Sequence, residues 1–390
     1  MNTITEDDIK MAKKAERVHE LIANRCTHYP DGTRVITKEF DSALYLERLM
    51  AVAKKIASSQ EDVSILVQTR RGRQVPRLTR LGEELLLACQ GYREFFHVGL
   101  GADERSRYRE HKLHPYLDVA AEAISGVETT VSDAAAFKDY EVLTKEVNQL
   151  AAAIRTRCKD PRFKAEVKNF VRNAEAKLAR ALRYLLSLFK KRSRLLVLRV
   201  DLYVREEGRA WSYSEEADEA FDKFAAALSS SQIVPDVIGW MSARENGAER
   251  GRHYHVLAVL DGHKHHAGAN LTRMLGEYWV NECVGSDKLG SYFNCFSLAD
   301  KYKHLGIGII HFTDAQKLLG LYYATRYLCK DEVQLIATGE RSRNFRRGVE
   351  DKNYVRLGAP RLKDDDLSLA RQVLLGQVRP TKAVKPTKTG

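Results

Sequence analysis

Residues Leu195–Val204 read LLVLRVDLYV, and this stretch separates two kinds of sequence. Its alternating, β-branched character predicts a strand in which Arg199, Asp201 and Tyr203 fall on one side. The basic run Lys190–Arg194 precedes it, and helical periodicity precedes that run. We therefore expect a β-containing domain to begin near residue 191.

The region before this strand, from residue 5 to about 190, predicts helices. Apolar residues recur there at spacings of three and four, which is the period of an amphipathic helix. The predicted helices are Ile9–Ile22, Phe40–Ile56, Leu81–Phe96, Tyr140–Ile154 and Phe163–Phe189. The basic segment Thr69–Arg80 interrupts the pattern and is predicted as a loop.

The region after the strand mixes helices with further strands. Two apolar stretches, Val237–Arg244 and His253–Asp261, predict a strand pair connected by the loop Asn246–Arg252. The other predicted elements are a strand at 307–312 and helices at 215–228, 270–281 and 314–328. This order predicts an α+β fold built around an antiparallel sheet with flanking helices.

Three regions follow from these patterns. We expect a helical N-terminal domain at residues 1–190, an antiparallel-sheet domain at 191–350 and a basic C-terminal tail at 351–390. The tail is predicted to be partly disordered, because Thr381–Gly390 (TKAVKPTKTG) is basic and lacks apolar periodicity.

Composition narrows the class of protein. The 390 residues are 44% hydrophobic and 30% charged, as in an ordinary globular chain. No apolar run is long enough to span a membrane, and the polar start MNTITEDDIK is unlike a signal peptide. The six cysteines form no C-x-x-C pair, which fits a reducing compartment. We expect a cytoplasmic protein with no membrane association.

The charge balance favours a polyanionic partner. The formal net charge is +12, and neutralising phosphates releases their condensed counterions. The sequence therefore favours nucleic acid as a partner.

Two histidines at the start of a predicted strand are candidate metal ligands. His253 and His255 are two residues apart, so in a strand both imidazoles point to one face. Glu245 ends the preceding strand and would lie beside them if the two strands pair. A carboxylate with two imidazoles suits Mg²⁺ or Mn²⁺ better than the histidines alone. The alternatives are a polar surface pair of histidines and a glutamate bound to a neighbouring arginine.

The stretch Leu321–Lys330, LYYATRYLCK, contains candidate nucleophiles. Tyr323 and Tyr327 are four residues apart, so on a helix their phenols share a face, and Lys330 lies on nearly the same side. A phenol is a weak nucleophile and needs a nearby cation or an activated target. Ordinary packing of both tyrosines in the core is the competing interpretation.

An H-x-H strand followed by a Y-x-x-x-Y-x-x-K helix resembles the HUH-endonuclease superfamily of rolling-circle replication initiators. The two-tyrosine spacing is similar to the branch found in single-stranded DNA phages and in related plasmids and transposons. Five stretches resemble inovirus-type replication proteins of filamentous phages and prophages, namely LRVDLYV, Glu245–His255, GEYW at 276–279, YYATRYLCK and RSRNFRRG at 341–348. The resemblance covers residues 195–350.

The resemblance implies a reaction and a place for it. In a bacterial cytoplasm, one Mg²⁺ or Mn²⁺ would be held by His253, His255 and Glu245. Tyr327 or Tyr323 would attack single-stranded DNA, leaving a 5′-phosphotyrosyl bond and a free 3′-hydroxyl. The second tyrosine would make the terminating cut, and Lys330 would position the phosphate.

The resemblance also implies partners. The single-stranded replication origin would be held through its backbone by four arginines, namely Arg341, Arg343, Arg346 and Arg347. A host helicase is a possible further partner, and the oligomeric state is left open. The helical half could read origin DNA, dimerise or dock a helicase.

Three other interpretations stay open. The chain could be a non-catalytic prophage DNA-binding protein that retains the fold. It could also be a nuclease that activates water at the metal, with the tyrosines only packing. Finally, a transposase or relaxase would use the same chemistry.

Overall fold

A computed structural model describes most of the chain, in residues 26–28, 34–36, 39–99, 105–106, 108, 111–205, 208, 211–247, 251–286, 289–302, 304–329, 336–337, 344–349 and 367–376. The chain divides into two compact units. The helical unit comprises residues 36–171 and 331–341, and the sheet unit comprises residues 1–35, 172–330 and 342–390. The predicted helix Ile9–Ile22 and the tail Thr381–Gly390 lie outside the described residues.

Helices dominate the first unit. They are α1 (Glu39–Ser58), α2 (Arg80–Gln90), α3 (Tyr92–Phe96), α4 (Pro115–Ser125), α5 (Glu128–Ala136), α6 (Tyr140–Lys159) and the first part of α7 (Pro161–Lys191). The side chain of Thr79 caps α2 by accepting a hydrogen bond from the Gly82 amide. Leu49, Leu85 and Leu117 are fully buried and form part of its core.

Short strands accompany these helices. They are β3 (Ser64–Gln68), β4 (Gln74–Leu78), β5 (His97–Val98), β6 (Arg105–Ser106), β7 (His111–Lys112) and β13 (Ile336–Ala337). Two further short strands, β1 (Cys26–His28) and β2 (Arg34–Ile36), pair with each other and belong to the sheet unit apart from Ile36. Strands β3 and β4 pair as an antiparallel hairpin, so the prediction of a loop at Thr69–Arg80 holds for Thr69–Arg73 but was wrong for Gln74–Leu78. Ile65 and Leu66 are both exposed. The hairpin therefore lacks the buried alternation by which a strand is recognised in sequence.

The sheet unit is built on a six-stranded antiparallel sheet. Its strands are β8 (Arg194–Val204), β9 (Val237–Gly247), β10 (Gly251–Asp261), β11 (Gly290–Asn294), β12 (Gly308–His311) and β14 (Phe345–Arg347). The order is β11-β8-β10-β9-β14, and β12 pairs with the other end of β8. The predicted strand Leu195–Val204 is thus the second strand of this sheet.

Helices cover both faces of the sheet. They are α8 (Glu215–Ser229), α9 (Gly268–Tyr278), α10 (Ala315–Cys329) and α11 (Ser368–Leu375), with a π-helical turn at Trp279–Val284 after α9. One face packs against α8 and α9, and the opposite face packs against α7, α10 and α11. Because both faces are covered, β8 is buried along almost its whole length.

The boundary between the two units falls inside α7. The sequence placed this boundary near residue 190, whereas the compact units divide between residues 171 and 172. The reason is that the C-terminal part of α7 carries Leu182, Leu185 and Phe189, which pack with Val197 of the sheet. Residue 191 still marks the change from helix to strand.

The α+β class predicted from the sequence is confirmed. The strand pair is longer than predicted, because β9 and β10 remain paired as far as Gly247 and Gly251. The prediction of a loop across Asn246–Arg252 was therefore wrong at both of its ends. Strands β11 and β14 were not predicted. Among the described residues, no helix has the length and apolar character that crossing a membrane requires.

Candidate functional site

The face of the sheet that packs on α10 changes from apolar to polar along the strands. At one end the inward side chains are apolar and fully buried, as with Val197, Met241 and Leu257. At the other end the same face carries Arg199, Asp201, Glu245, His253 and His255. The alternation predicted for β8 is confirmed, since the residues between these belong to the core of the opposite face.

Strand register brings the candidate ligands together. In the antiparallel pairing of β9 with β10, His253 lies directly opposite Glu245. In the pairing of β10 with β8, His255 lies directly opposite Asp201. Residues opposite one another share a face, and so do residues two apart on one strand. All four side chains therefore meet on one face.

Three of these side chains form a cluster that fits a metal ion. One carboxylate oxygen of Glu245, Oε2, lies 3.3 Å from His253 Nε2 and 3.1 Å from His255 Nε2. Ligands that bind one ion at about 2.1 Å and at right angles are about 3 Å apart. Of the residues that the structure describes, these three form the only such group, with ligand atoms within 4.8 Å of one another. We call it the histidine–glutamate cluster.

Asp201 orients one of the two imidazoles. Its Oδ1 atom lies 2.7 Å from His255 Nδ1, on the side of the ring away from Glu245. A carboxylate close to Nδ1 favours a proton on that nitrogen, which leaves the Nε2 lone pair for a metal. Asp201 is itself 3.5 Å from Arg199 Nε, and both side chains are buried.

Opposite charges in the cluster shift the pKa values of its members. Burial alone would raise the pKa of Glu245, but His255 and His253 hold it well below its usual range. Burial would likewise raise the pKa of Asp201, but His255 and Arg199 lower it. Burial would lower the pKa of His255, whereas the two carboxylates raise it to about 9. The site therefore keeps two ionised carboxylates around His255 in the metal-free protein.

Tyr327 lies against this cluster. Its ring centroid is 5.0 Å from that of His255, with the rings nearly perpendicular at 83°. The guanidinium carbon of Arg199 lies 4.5 Å from the same Tyr327 centroid. The tyrosine is partly buried on α10, so two strands and one helix enclose its ring.

The second tyrosine has different neighbours. Tyr323 is 6% exposed and belongs to the core under the sheet. Its ring stacks with His304 at a centroid distance of 5.9 Å and meets Tyr322 edge-on at 5.3 Å. Lys330 lies outside the described residues.

Two of the four candidate DNA-binding arginines can be placed. Arg346 and Arg347 lie on the edge strand β14, and Arg341 and Arg343 lie outside the described residues. Arg346 forms an ion pair with Asp222 at 2.5 Å. The guanidinium of Arg347 lies 4.7 Å from the centre of the Tyr184 ring. Both arginines therefore already contact the sheet unit itself.

Sequence reasoning missed the roles of Arg199 and Asp201. Both had been assigned to one side of a predicted strand, together with Tyr203, whose ring stacks on His253 at 5.3 Å. A buried arginine and aspartate in an otherwise apolar strand were the available signal, since such residues are seldom buried without a specific partner.

Comparison with known proteins adds no relative. No protein-family model matches the chain, and no curated protein or solved structure is significantly similar to it. The fold and the site together define the sheet unit as an α+β domain. This domain carries a buried two-histidine, one-carboxylate cluster beside a tyrosine.

Proposed function

We propose that the sheet unit nicks and rejoins single-stranded DNA through a covalent bond to a tyrosine, as a rolling-circle replication initiator of the HUH type does. The observation that carries this proposal is the packing of Tyr327 against His255. It brings a potential nucleophile to a cluster suited to a divalent cation. Two histidines and a glutamate alone would suit several hydrolytic or oxidative enzymes.

The histidine–glutamate cluster would hold Mg²⁺ or Mn²⁺. When bound, such an ion withdraws electron density from a substrate phosphate and makes its phosphorus easier to attack. His253, His255 and Glu245 supply three ligands, which leaves positions for phosphate oxygens. Asp201 lies at the Nδ1 side of the His255 ring, so Nε2 would be the ligand atom.

The tyrosine forms the covalent bond. Its hydroxyl oxygen would bond to the phosphorus as the bond to the DNA 3′-oxygen breaks. The products are a 5′-phosphotyrosyl linkage and a free 3′-hydroxyl that can prime synthesis. One phosphodiester replaces another, so the reverse reaction rejoins the strand without ATP.

The basic charge of the chain supports DNA as the substrate. A net charge of +12 favours a strand of many phosphates over a small anionic ester, because several charge contacts to the strand then act together. The helical unit would contribute origin recognition, dimerisation or helicase docking.

Formation of a covalent adduct tests the proposal. The full chain would be incubated with Mn²⁺ or Mg²⁺ and labelled single-stranded oligonucleotides and hairpins from the DNA that flanks its gene. Denaturing gels would compare the wild type with Tyr327→Phe and His255→Ala. Tyr140→Phe serves as the matched control, because Tyr140 is exposed on α6 of the helical unit.

Each outcome separates one interpretation from the others. A metal-dependent adduct that is lost in Tyr327→Phe and His255→Ala, but kept in Tyr140→Phe, supports nicking and joining. Cleavage without an adduct would show that water is the nucleophile. Binding with neither cleavage nor adduct, with the cognate origin present, would indicate a non-catalytic DNA-binding protein.

A further inference from the structure

The two candidate tyrosines are in unequal surroundings, although they lie one helical turn apart on α10. Tyr327 contacts a ligand of the histidine–glutamate cluster. Tyr323 contacts His304 and Tyr322 in the core. Four residues advance the helix by about 6 Å, so a ring at one position cannot replace the other without movement of the helix.

Arg199 provides a second connection between Tyr327 and the cluster. Its guanidinium lies over the Tyr327 ring at 4.5 Å, within the range of a cation–π contact. The same group is 3.5 Å from the Asp201 carboxylate, which in turn holds His255. A single chain of contacts therefore runs from the Tyr327 ring through Arg199 and Asp201 to a metal ligand.

Burial makes this arrangement rigid. Arg199 is 8% exposed and Asp201 is 6% exposed, so neither side chain can move freely into solvent. Burial alone would lower the pKa of Arg199, but Asp201 and weaker neighbours, Tyr327 among them, raise it well above its usual value. The guanidinium is thus a permanent cation fixed over the ring.

We propose that Tyr327 is the residue that becomes joined to DNA, that Arg199 is its positioning residue, and that Tyr323 has a structural role in the core. The inference rests on the proposed function and deepens it. It replaces two interchangeable tyrosines with one nucleophile and a fixed arginine. It also identifies a positive charge on β8 beside the Tyr327 ring, in addition to the Lys330 that local spacing predicts.

The covalent step needs no co-reactant, because one phosphodiester bond is exchanged for another. A bond forms between the Tyr327 hydroxyl oxygen and phosphorus, and the bond between phosphorus and the DNA 3′-oxygen breaks. The phenol loses a proton, and the leaving 3′-oxygen gains one through solvent. Arg199 takes part by holding the ring in line with the phosphate. A misplacement of about 1 Å can cost about 100-fold in rate.

Mapping the adduct tests the assignment of the nucleophile. The full chain would react with Mn²⁺ and a labelled origin oligonucleotide, and mass spectrometry would identify the modified peptide. The expected result is modification at Tyr327 in the wild type. We also expect the Tyr323→Phe rate to lie within about twofold of it, because Phe retains the ring packing. Modification at Tyr323, or loss of the adduct in Tyr323→Phe, would overturn the assignment.

Single-turnover kinetics test the role of Arg199. In Arg199→Gln and Arg199→Ala, the rate of adduct formation should fall about 100-fold, while oligonucleotide affinity stays near the wild-type value. Added guanidinium should restore part of the rate to Arg199→Ala, which a purely structural defect would not allow. An unchanged rate, or an absence of rescue in a variant that still binds Mn²⁺, would overturn the role.

A matched control shows whether the slower rate is specific to Arg199 or follows from removing any arginine near β8. Arg192 pairs with Asp261 at 2.5 Å, beyond the opposite end of β8, and Arg192→Gln should keep the wild-type rate. A rate as low as that of Arg199→Gln would show a general effect of charge and would contradict the proposal. If the wild type itself forms no adduct, the proposed function fails. If it forms one that Arg199→Gln does not slow, only this inference fails.

Discussion

The Nδ1 atom of His255 lies 2.7 Å from the Oδ1 atom of Asp201, which is directly opposite on the neighbouring strand. This ion-pair contact lies at one ring nitrogen, and the second ring nitrogen, Nε2, faces Glu245. It also places a carboxylate between His255 and the buried guanidinium of Arg199. Asp201 is therefore important for stability as well as for the orientation of a ligand.

Replacing Asp201 with alanine should destabilise the protein strongly. The variant leaves Arg199 buried without its carboxylate, and breaking a buried pair in this way costs about 3–5 kcal/mol. Asp222→Ala is the control, because Asp222 is 63% exposed where it pairs with Arg346 and should contribute less than about 1 kcal/mol. Urea denaturation measures both, and equal midpoints would show that the Asp201 contacts add no stability.

Binding of the metal should release a proton near neutral pH. The pKa of His255 is raised to about 9 in the metal-free protein, so the ring is protonated at pH 7 and must lose this proton to bind an ion. Glu245, with its lowered pKa, is already ionised and releases none. Affinity for Mn²⁺ should therefore rise as the pH increases from 7 toward 9.

Calorimetry in buffers of different ionisation enthalpy measures this release. A titration at about pH 7.5 should show close to one proton leaving His255 for each ion bound. Binding that is independent of pH between 7 and 9 would mean either that the pKa of His255 is not raised or that His255 is not a ligand.

Removal of a single ligand should abolish tight metal binding. We expect His255→Ala to weaken Mn²⁺ binding by more than about 100-fold, beyond the 10–100-fold typical of residues that only orient a ligand. His263→Ala is the control, since His263 pairs with Ser193 Oγ at 2.9 Å in a separate turn of the sheet unit. Isothermal titration compares the two variants. A matching loss in His263→Ala would place the ion elsewhere.

Adding a methyl group at Gly320 should displace the helix that carries Tyr327. A Cβ atom there would lie 2.5 Å from the Leu305 carbonyl carbon and 2.6 Å from the Gly306 amide nitrogen, and neither backbone atom can easily move aside. We expect Gly320→Ala to lose about 1–3 kcal/mol of stability and to slow adduct formation more than DNA binding.

A second glycine provides the comparison for this helix. An added methyl group at Gly126 would have no atom within 4 Å among its described neighbours, so Gly126→Ala should unfold near the wild-type midpoint and react at the wild-type rate. Urea unfolding and single-turnover assays of both variants measure the difference. If Gly320→Ala reacts as fast as Gly126→Ala, α10 is not held by this close approach.

Sequence periodicity predicted the strands of the site because their patterns are local. The alternation in β8 and the H-x-H spacing on β10 each depend on a few neighbouring residues. Placing Glu245 beside His253 needed only the assumption that adjacent strands form a hairpin. These features are confirmed in the structure.

Contacts that depend on distant register could not be predicted. The pairing of Asp201 with His255 joins strands that are more than 50 residues apart, and a shift of one residue would turn Asp201 to the other face. Local spacing suggested Lys330 as a cation near the tyrosines, and this prediction stays open because Lys330 lies outside the described residues. Arg199 reaches the Tyr327 ring only because β8 and α10 pack together, and this contact cannot be read from local spacing.

Strand β14 was missed for a related reason. The segment that includes Arg346 and Arg347 is basic and has little apolar alternation, so a loop was the natural interpretation. It forms a strand because β9 offers an open edge with which it pairs. This edge exists only in the folded sheet, so the local sequence of β14 does not predict the pairing.

Burial of Tyr323 sets the stoichiometry of the proposed reaction. With Tyr327 as the nucleophile, one chain can carry one covalently bound 5′ end at a time. A second cleavage must then wait until that end has been rejoined, or it must use another copy of the chain. The largest number of 5′ ends held covalently at one time would therefore equal the number of chains assembled at an origin.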